Sequence, residues 1–181
     1  MLKKYLGCKY IIFNEINEKK LNLRKIELNI NDKLRFEKGN QHEKNYLKEL
    51  KKKYKKVLDL KKPDLTREEK ISRTIKAMKE GWEIIHGGWL KKDKWTGEFD
   101  FLIINKELKS KFGDYSYEVI DTKYSNKPKP DHIIQLGMYT YMLEKTQGVF
   151  PKRFTIVLKD MVSENVQVNQ VNEFFKIHRE N

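Results

Sequence analysis

The chain has 181 residues, a single cysteine and a formal net charge of +13. That length suits one domain with a hydrophobic core of its own. Cys8 alone excludes an internal disulfide and a four-cysteine zinc or iron–sulfur site within one chain. Aromatic residues at 12% beside charged residues at 36% predict a folded chain and not a disordered one. No apolar run approaches the ~20 residues that cross a bilayer. The opening MLKKYLGCKYIIF is too short in apolar residues for a secretory signal and lacks a small-residue cleavage site. The expectation is a soluble, cytoplasmic (intracellular) protein with no membrane partner, built as a single domain over 1–181. Of the 39 basic residues, 33 are Lys and 6 are Arg, and Asn and Ile are frequent. A genome of low GC content drifts to this composition unaided, so the charge fits a polyanion partner but needs a site before it means more.

In chain order, LGCKYIIFNEI and LNLRKIELNI mix apolar and polar residues, and the second suits a strand or hairpin arm. From Gln41 to about Leu60, Tyr46, Leu47, Leu50, Tyr54, Val57 and Leu58 recur at helical spacing, with lysines on the outer face and a break at Pro63. A second helix starts at Thr66, where Thr66 and Glu69 fit a capping box, and it ends at Gly81. WEIIHGGWL, EFDFLII and YEVIDTKY then read as three successive strands, with Gly113 and Asp114 in a turn before the third. Pro130 to Gln147 reads as a helix with Gly148 as its stop, FTIVL as a strand, and VNQVNEFFKIHREN as a final helix. This order predicts an α/β fold, a small mixed central sheet flanked by helices.

Acidic residues usually avoid strand interiors, yet Asp100 falls within EFDFLII and Asp121 near the end of YEVIDTKY. Side chains two apart on a strand share a face, so Asp121 and Lys123 point the same way and Thr122 the other. If the two strands pair, the carboxylates approach, and a hard divalent cation relieves their repulsion. Mg²⁺ is the natural candidate. Lys123 can then position the attacking water or stabilise charge on a phosphate oxygen, a set suited to phosphodiester hydrolysis. The competing interpretation is a salt bridge between Lys123 and one of the aspartates.

Gly97-Glu98-Phe99-Asp100-Phe101-Leu102 followed by Tyr117-Glu118-Val119-Ile120-Asp121-Thr122-Lys123 resembles the PD-(D/E)xK nuclease superfamily. Gln135-Leu136-Gly137-Met138-Tyr139 is similar to the QxxxY signature of its RecB-like branch, in which an aspartate strand, a DxK strand and a QxxxY helix occur in this order. The resemblance covers about Gly39 to Gly148, within a core of about 39–160. It implies a restriction-endonuclease-like core and a Mg²⁺- or Mn²⁺-dependent deoxyribonuclease acting in repair, recombination or defence. Exonuclease and endonuclease action both stay open, as does single- or double-stranded DNA. It further implies the Thr122 carbonyl as a metal ligand, and Gln135 and Tyr139 as residues that hold the lysine or contact the DNA backbone. The branch's N-terminal helix motif corresponds to Gly39-Asn40-Gln41-His42-Glu43 and leaves two candidate ligands. Glu43 has the usual spacing and projects near the centre of the apolar stripe, and His42 towards its edge. Glu43 is the first choice and His42 the second. Cysteine-bearing relatives hold an iron–sulfur cluster; Cys8 resembles a remnant of that motif, and no cluster is expected. Relatives are often fused to a helicase or another module, so the chain is either a fragment or a free-standing nuclease.

Directly after the DxK strand, Lys123 to Pro130 forms a basic loop stiffened by two prolines, where Tyr124, Lys127 and Lys129 are expected to meet phosphates. The lysine-rich tract from Lys48 to Lys62 reads as a solvated helix face first and as a DNA-tracking face second. His42, His86, His132 and His178 lack the close pairing of a zinc site, His86 reads as structural, and Gly87-Gly88 as a strand bend. The rival function is a non-catalytic nucleic-acid-binding module that keeps the nuclease fold.

Overall fold

The computed structural model describes residues 29–61 and 64–171. Helix α1 (Ile30–Lys53) leads into strand β1 (Val57–Asp59) and helix α2 (Arg67–Lys79). Strands β2 (Ile84–His86), β3 (Trp89–Lys92), β4 (Trp95–Glu98), β5 (Phe101–Asn105) and β6 (Ser116–Thr122) follow. Helix α3 (Pro130–Gln147) then crosses to β7 (Arg153–Val157) and β8 (Ser163–Gln167). Six strands form one sheet in the order β1-β2-β5-β6-β7-β8, and β3 and β4 form a separate hairpin. The β1–β2 and β6–β7 pairs are parallel and the rest antiparallel, so the fold is mixed α/β with a small mixed central sheet flanked by helices.

Alternation along the strands gives the sheet two cores. Tyr117 and Val119 of β6 pack with Leu102, Ile156, α2 residues Ala77 and Met78, and α3 residues Leu136 and Leu143. Ile120, one position on, joins Phe101, Ile84 and Val157 beneath Leu47 and Leu50 of α1. Each such fully buried aliphatic side chain contributes about 1.5–3 kcal/mol from removal from water. Helix α1 therefore covers one face and α3 the other.

Several expected boundaries moved. The first helix begins at Ile30, not Gln41, because the Asn29 side chain accepts the Asp32 N–H at 2.9 Å and caps it there. It ends at Lys53, so Val57 and Leu58 are not helical; they form β1, whose parallel pairing with β2 outweighs their helical spacing. The lysine tract is thus split between a helix end, a loop and a strand. WEIIHGGWL is two strands in different sheets, because the chain turns at Gly87, φ +62°, where a Cβ would lie 2.2 Å from Lys61 Cγ. The bend expected at Gly87-Gly88 is therefore present. EFDFLII also divides, into the end of β4 and β5, and Asp100 lies in the bend between them instead of inside a strand.

Other expectations hold. Thr66 and Glu69 exchange side-chain and backbone bonds as a capping box, Gly113 sits in the turn before β6, and Gly148 ends α3 at φ 79°. The polar strand β8 occupies residues with no sequence signal for it. Of the expected final helix, residues 168–171 are helical. The rest of that helix, the amino-terminal strand readings, Cys8, His178 and the break at Pro63 lie outside the described residues.

Candidate functional site

The β5–β6 register pairs Phe101 with Ile120. Beyond that pair lie Asp121, within β6, and Asp100, in the bend just before β5. Asp100 is held by Thr122, whose backbone N–H and hydroxyl both donate to Asp100 Oδ2 at 2.8 Å. Asp121 is 1% exposed, and Lys123 Nζ forms an ion pair with its Oδ2. Burial alone would lower the Lys123 pKa; the charges of Asp121 and then Asp100 outweigh it and hold it above the ordinary lysine value. Lys123 is therefore an ammonium at neutral pH, a fixed positive charge instead of a base.

Gln135 and Tyr139 share one face of α3, and Gln135 Nε2 donates to the Tyr139 hydroxyl at 3.0 Å. Burial first, then the carboxylates of Asp121, Asp100 and Glu98, push the Tyr139 phenol up to about 12 against the opposing Gln135 bond. Its proton stays on and is available to donate. Gly97 makes room for this ring, since a Cβ there would lie 2.6 Å from Tyr139 Cε1.

Glu43 and His42 are both buried on α1, so the expected contrast between stripe centre and edge is not seen in their burial. His42 Nε2–H donates to the Val157 carbonyl at 3.1 Å, and the backbone N–H of Lys123 donates to the same oxygen at 2.9 Å. His42 thereby pins the strand end that carries Lys123. Glu43 accepts from His86 Nε2–H at 2.8 Å and from Lys61 Nζ at 2.7 Å, while the Nδ1 side of His86 meets Asp59 at 2.8 Å. Burial would raise the Glu43 carboxyl, but the His86 and Lys61 hydrogen bonds hold it below its usual range. Lys61 is in turn raised: Glu43, and beyond it Asp100 and Glu98, outweigh its burial.

Hard oxygen donors suit Mg²⁺ or Mn²⁺, and Asp100 with Asp121 supplies two such carboxylates. Their joint negative potential is registered by Lys123 and Tyr139, and that of Asp100 by Lys61 as well. By strand alternation Asp121 lies on the α3 side of the sheet, with Tyr117 and Val119, whereas Glu43 comes from α1 on the other side. Among the described residues, no group of three or more His, Cys, Asp or Glu is arranged to hold a metal ion.

Tyr124 and Lys129 line a groove of about 450 Å³ with Arg35, Phe36, Lys123 and Thr122. Tyr124 is exposed and Lys159 Nζ lies 5.7 Å from its ring centroid. Lys127 is exposed but is not among the groove's lining residues. Sequence reasoning missed Lys61 and Glu98. Glu98 sits two residues before Asp100, a spacing that could have marked it; Lys61 is one lysine of a lysine-rich tract and carries no signal.

The chain matches no profile of a known protein family and no curated protein. Among the described residues no helix is long and apolar enough to cross a membrane.

Proposed function

We propose that this protein is a metal-dependent DNA nuclease with a restriction-endonuclease-like core of the RecB-like PD-(D/E)xK type. The observation that carries the proposal is the end of the β5–β6 pair, where Asp100 is held by Thr122, next to Asp121, and Lys123 is ion-paired to Asp121. Asp100 and Asp121 would hold Mg²⁺ or Mn²⁺. Such a metal supplies Lewis acidity and lowers the pKa of a bound water. Lys123 presents a permanent ammonium to the developing charge on a phosphate oxygen. Tyr139, protonated and oriented by Gln135, offers a hydroxyl beside the same carboxylates. Arg35, Lys123 and Lys129 give the adjoining groove the charge that a DNA backbone needs.

The Lys123–Asp121 pair would also serve a fold that only binds nucleic acid, because an internal ion pair needs no metal. One experiment separates the two. Purified protein is expected to cut single- or double-stranded DNA with Mg²⁺ or Mn²⁺ and to stop with EDTA. Binding without cleavage under either ion would leave the binding module standing and overturn the nuclease. Circular and linear substrates in the same assay distinguish internal from end-dependent cutting.

Salt provides a further expectation. Each phosphate neutralised by Arg35, Lys123 or Lys129 releases condensed counterions, so log affinity is expected to fall with log salt, with a slope of about −0.9 per contact on duplex DNA. Anisotropy titrations over a salt series measure it. A flat response would mean that the charge of the chain is compositional and the groove is not the DNA track.

A further inference from the structure

Behind the carboxylate pair, the β3–β4 hairpin and α3 enclose a second cavity of about 400 Å³, walled by Trp89, Trp95, Gly97, Gln135, Met138 and Tyr139. We propose that this cavity receives one unpaired nucleobase of the DNA substrate, stacked against tryptophan, so that the site acts on single-stranded or frayed DNA. The proposal rests on the nuclease reading for its substrate and extends it to the substrate's strandedness.

Four observations converge on that occupant. The cavity lies within the ~300–1,000 Å³ range of ligand pockets and is largely apolar and aromatic, which suits the flat face of a base. Gln135 Oε1, on its wall, is buried with no hydrogen-bond partner, although the Nε2 of the same amide is satisfied by Tyr139. An amino or ring N–H of an entering base would satisfy this acceptor once the Gln135 amide turned to meet it. Lys91, Lys92 and Lys94 are exposed around the hairpin turn, and Lys94 Nζ lies 5.4 Å from the Trp95 ring centroid. They provide cations for the flanking phosphates. Finally, the Gln135–Tyr139 wall is shared with the Asp100–Asp121 site, whose charge Tyr139 feels. A nucleotide with its phosphate at the carboxylates can therefore turn its base towards the tryptophans. A paired base cannot enter without leaving its stack, a cost that unpaired DNA does not bear.

The test measures binding in EDTA, where no cleavage occurs. Trp82 lies outside the cavity, with its indole N–H on Glu80, so Trp82→Phe leaves Trp89 and Trp95 as reporters. A short oligo-dT is expected to quench their fluorescence. An otherwise identical oligomer with one abasic residue, scanned along the strand, is expected to bind about fivefold to a hundredfold more weakly at one position, the loss of a single stacked base. Equal affinity at every abasic position, or oligo-dT binding without quenching, overturns the proposal. The abasic comparison alters the probe alone and can be run on the unsubstituted protein as well, so a misfolded variant cannot mimic the abasic effect. If the protein cuts DNA but shows no abasic effect, the cavity proposal fails and the nuclease reading stands. If the abasic effect appears without cleavage under any divalent ion, the nuclease reading fails and the cavity stands.

Discussion

Replacing Lys123 with alanine is expected to slow DNA cleavage by about a hundredfold or more, the scale of removing one charge aimed at a reacting group. The same change is expected to destabilise the fold by about 3 kcal/mol, because Asp121, 1% exposed, loses the ammonium that faces it. The two effects are separable. In the double variant Asp121→Asn/Lys123→Met the buried charge is gone, so much of the stability should return while cleavage stays lost. Urea unfolding and single-turnover cleavage on both variants check this. Wild-type cleavage by the alanine variant would remove Lys123 from the mechanism. The Lys123 pKa is raised above its ordinary value of 10.5 in the folded protein. Its contribution to stability is therefore complete below about pH 10.5 and is lost as pH rises through the higher folded value. Neutral-pH cleavage should show no titration of Lys123.

Glu43→Gln is expected to lower stability by about 2 kcal/mol, since it weakens two charge-assisted bonds, from His86 and Lys61, in a buried setting. The pH dependence has a definite sign. The folded Glu43 pKa lies below its ordinary 4.5, so its contribution is present above about pH 4.5 and fades as pH falls through the lower folded value. Wild type and variant should therefore converge in acid. Metal binding decides the older question of the ligand. Isothermal titration with Mn²⁺ is expected to show weaker binding, and the cleavage assay slower turnover, for Glu43→Gln. Releasing Lys61 from Glu43 leaves that ammonium to compete beside Asp100. His42→Ala is expected to cost about 1 kcal/mol of stability through the lost Val157 bond and to leave Mn²⁺ affinity unchanged. Loss of the metal with His42→Ala, and its retention with Glu43→Gln, would overturn this and place the histidine at the metal.

Much of the fold was legible because its signals are local. The Thr66–Glu69 capping box, the Gly148 stop and the seven-residue strand β6 each rest on contacts or periodicities within a few residues. Strand alternation anticipated that Asp121 and Lys123 meet, although β6 ends at Thr122, and the helical spacing of Gln135 and Tyr139 put them in one hydrogen bond. Strands β1 and β8 were not legible. Both are edge strands, and neither alternates strongly: β1 has three half-buried residues, and β8 is mostly exposed Ser163, Glu164, Asn165 and Gln167. Only their partners β2 and β7 make them strands.

The sequence by itself determined which residue types carry charge to the sheet, and that Asp121, Gln135 and Tyr139 belong to regular elements that aim them in known directions, with Lys123 directly after β6. Tertiary structure alone decided the rest. The bend at Gly87-Gly88 was readable, but the division of WEIIHGGWL between two sheets depends on which strands pair: β2 joins β1 and β5, whereas β3 joins β4. The bond that holds Asp100 to Thr122, next to Asp121, is a property of how β5 and β6 pair, not of either strand. The partners of Glu43 lie 18 residues away at Lys61 and 43 away at His86, separations at which periodicity carries no information. Local patterns fix what a residue's own backbone does, whereas which charges meet is fixed by how the elements close on one another, and burial then sets the strength of each meeting.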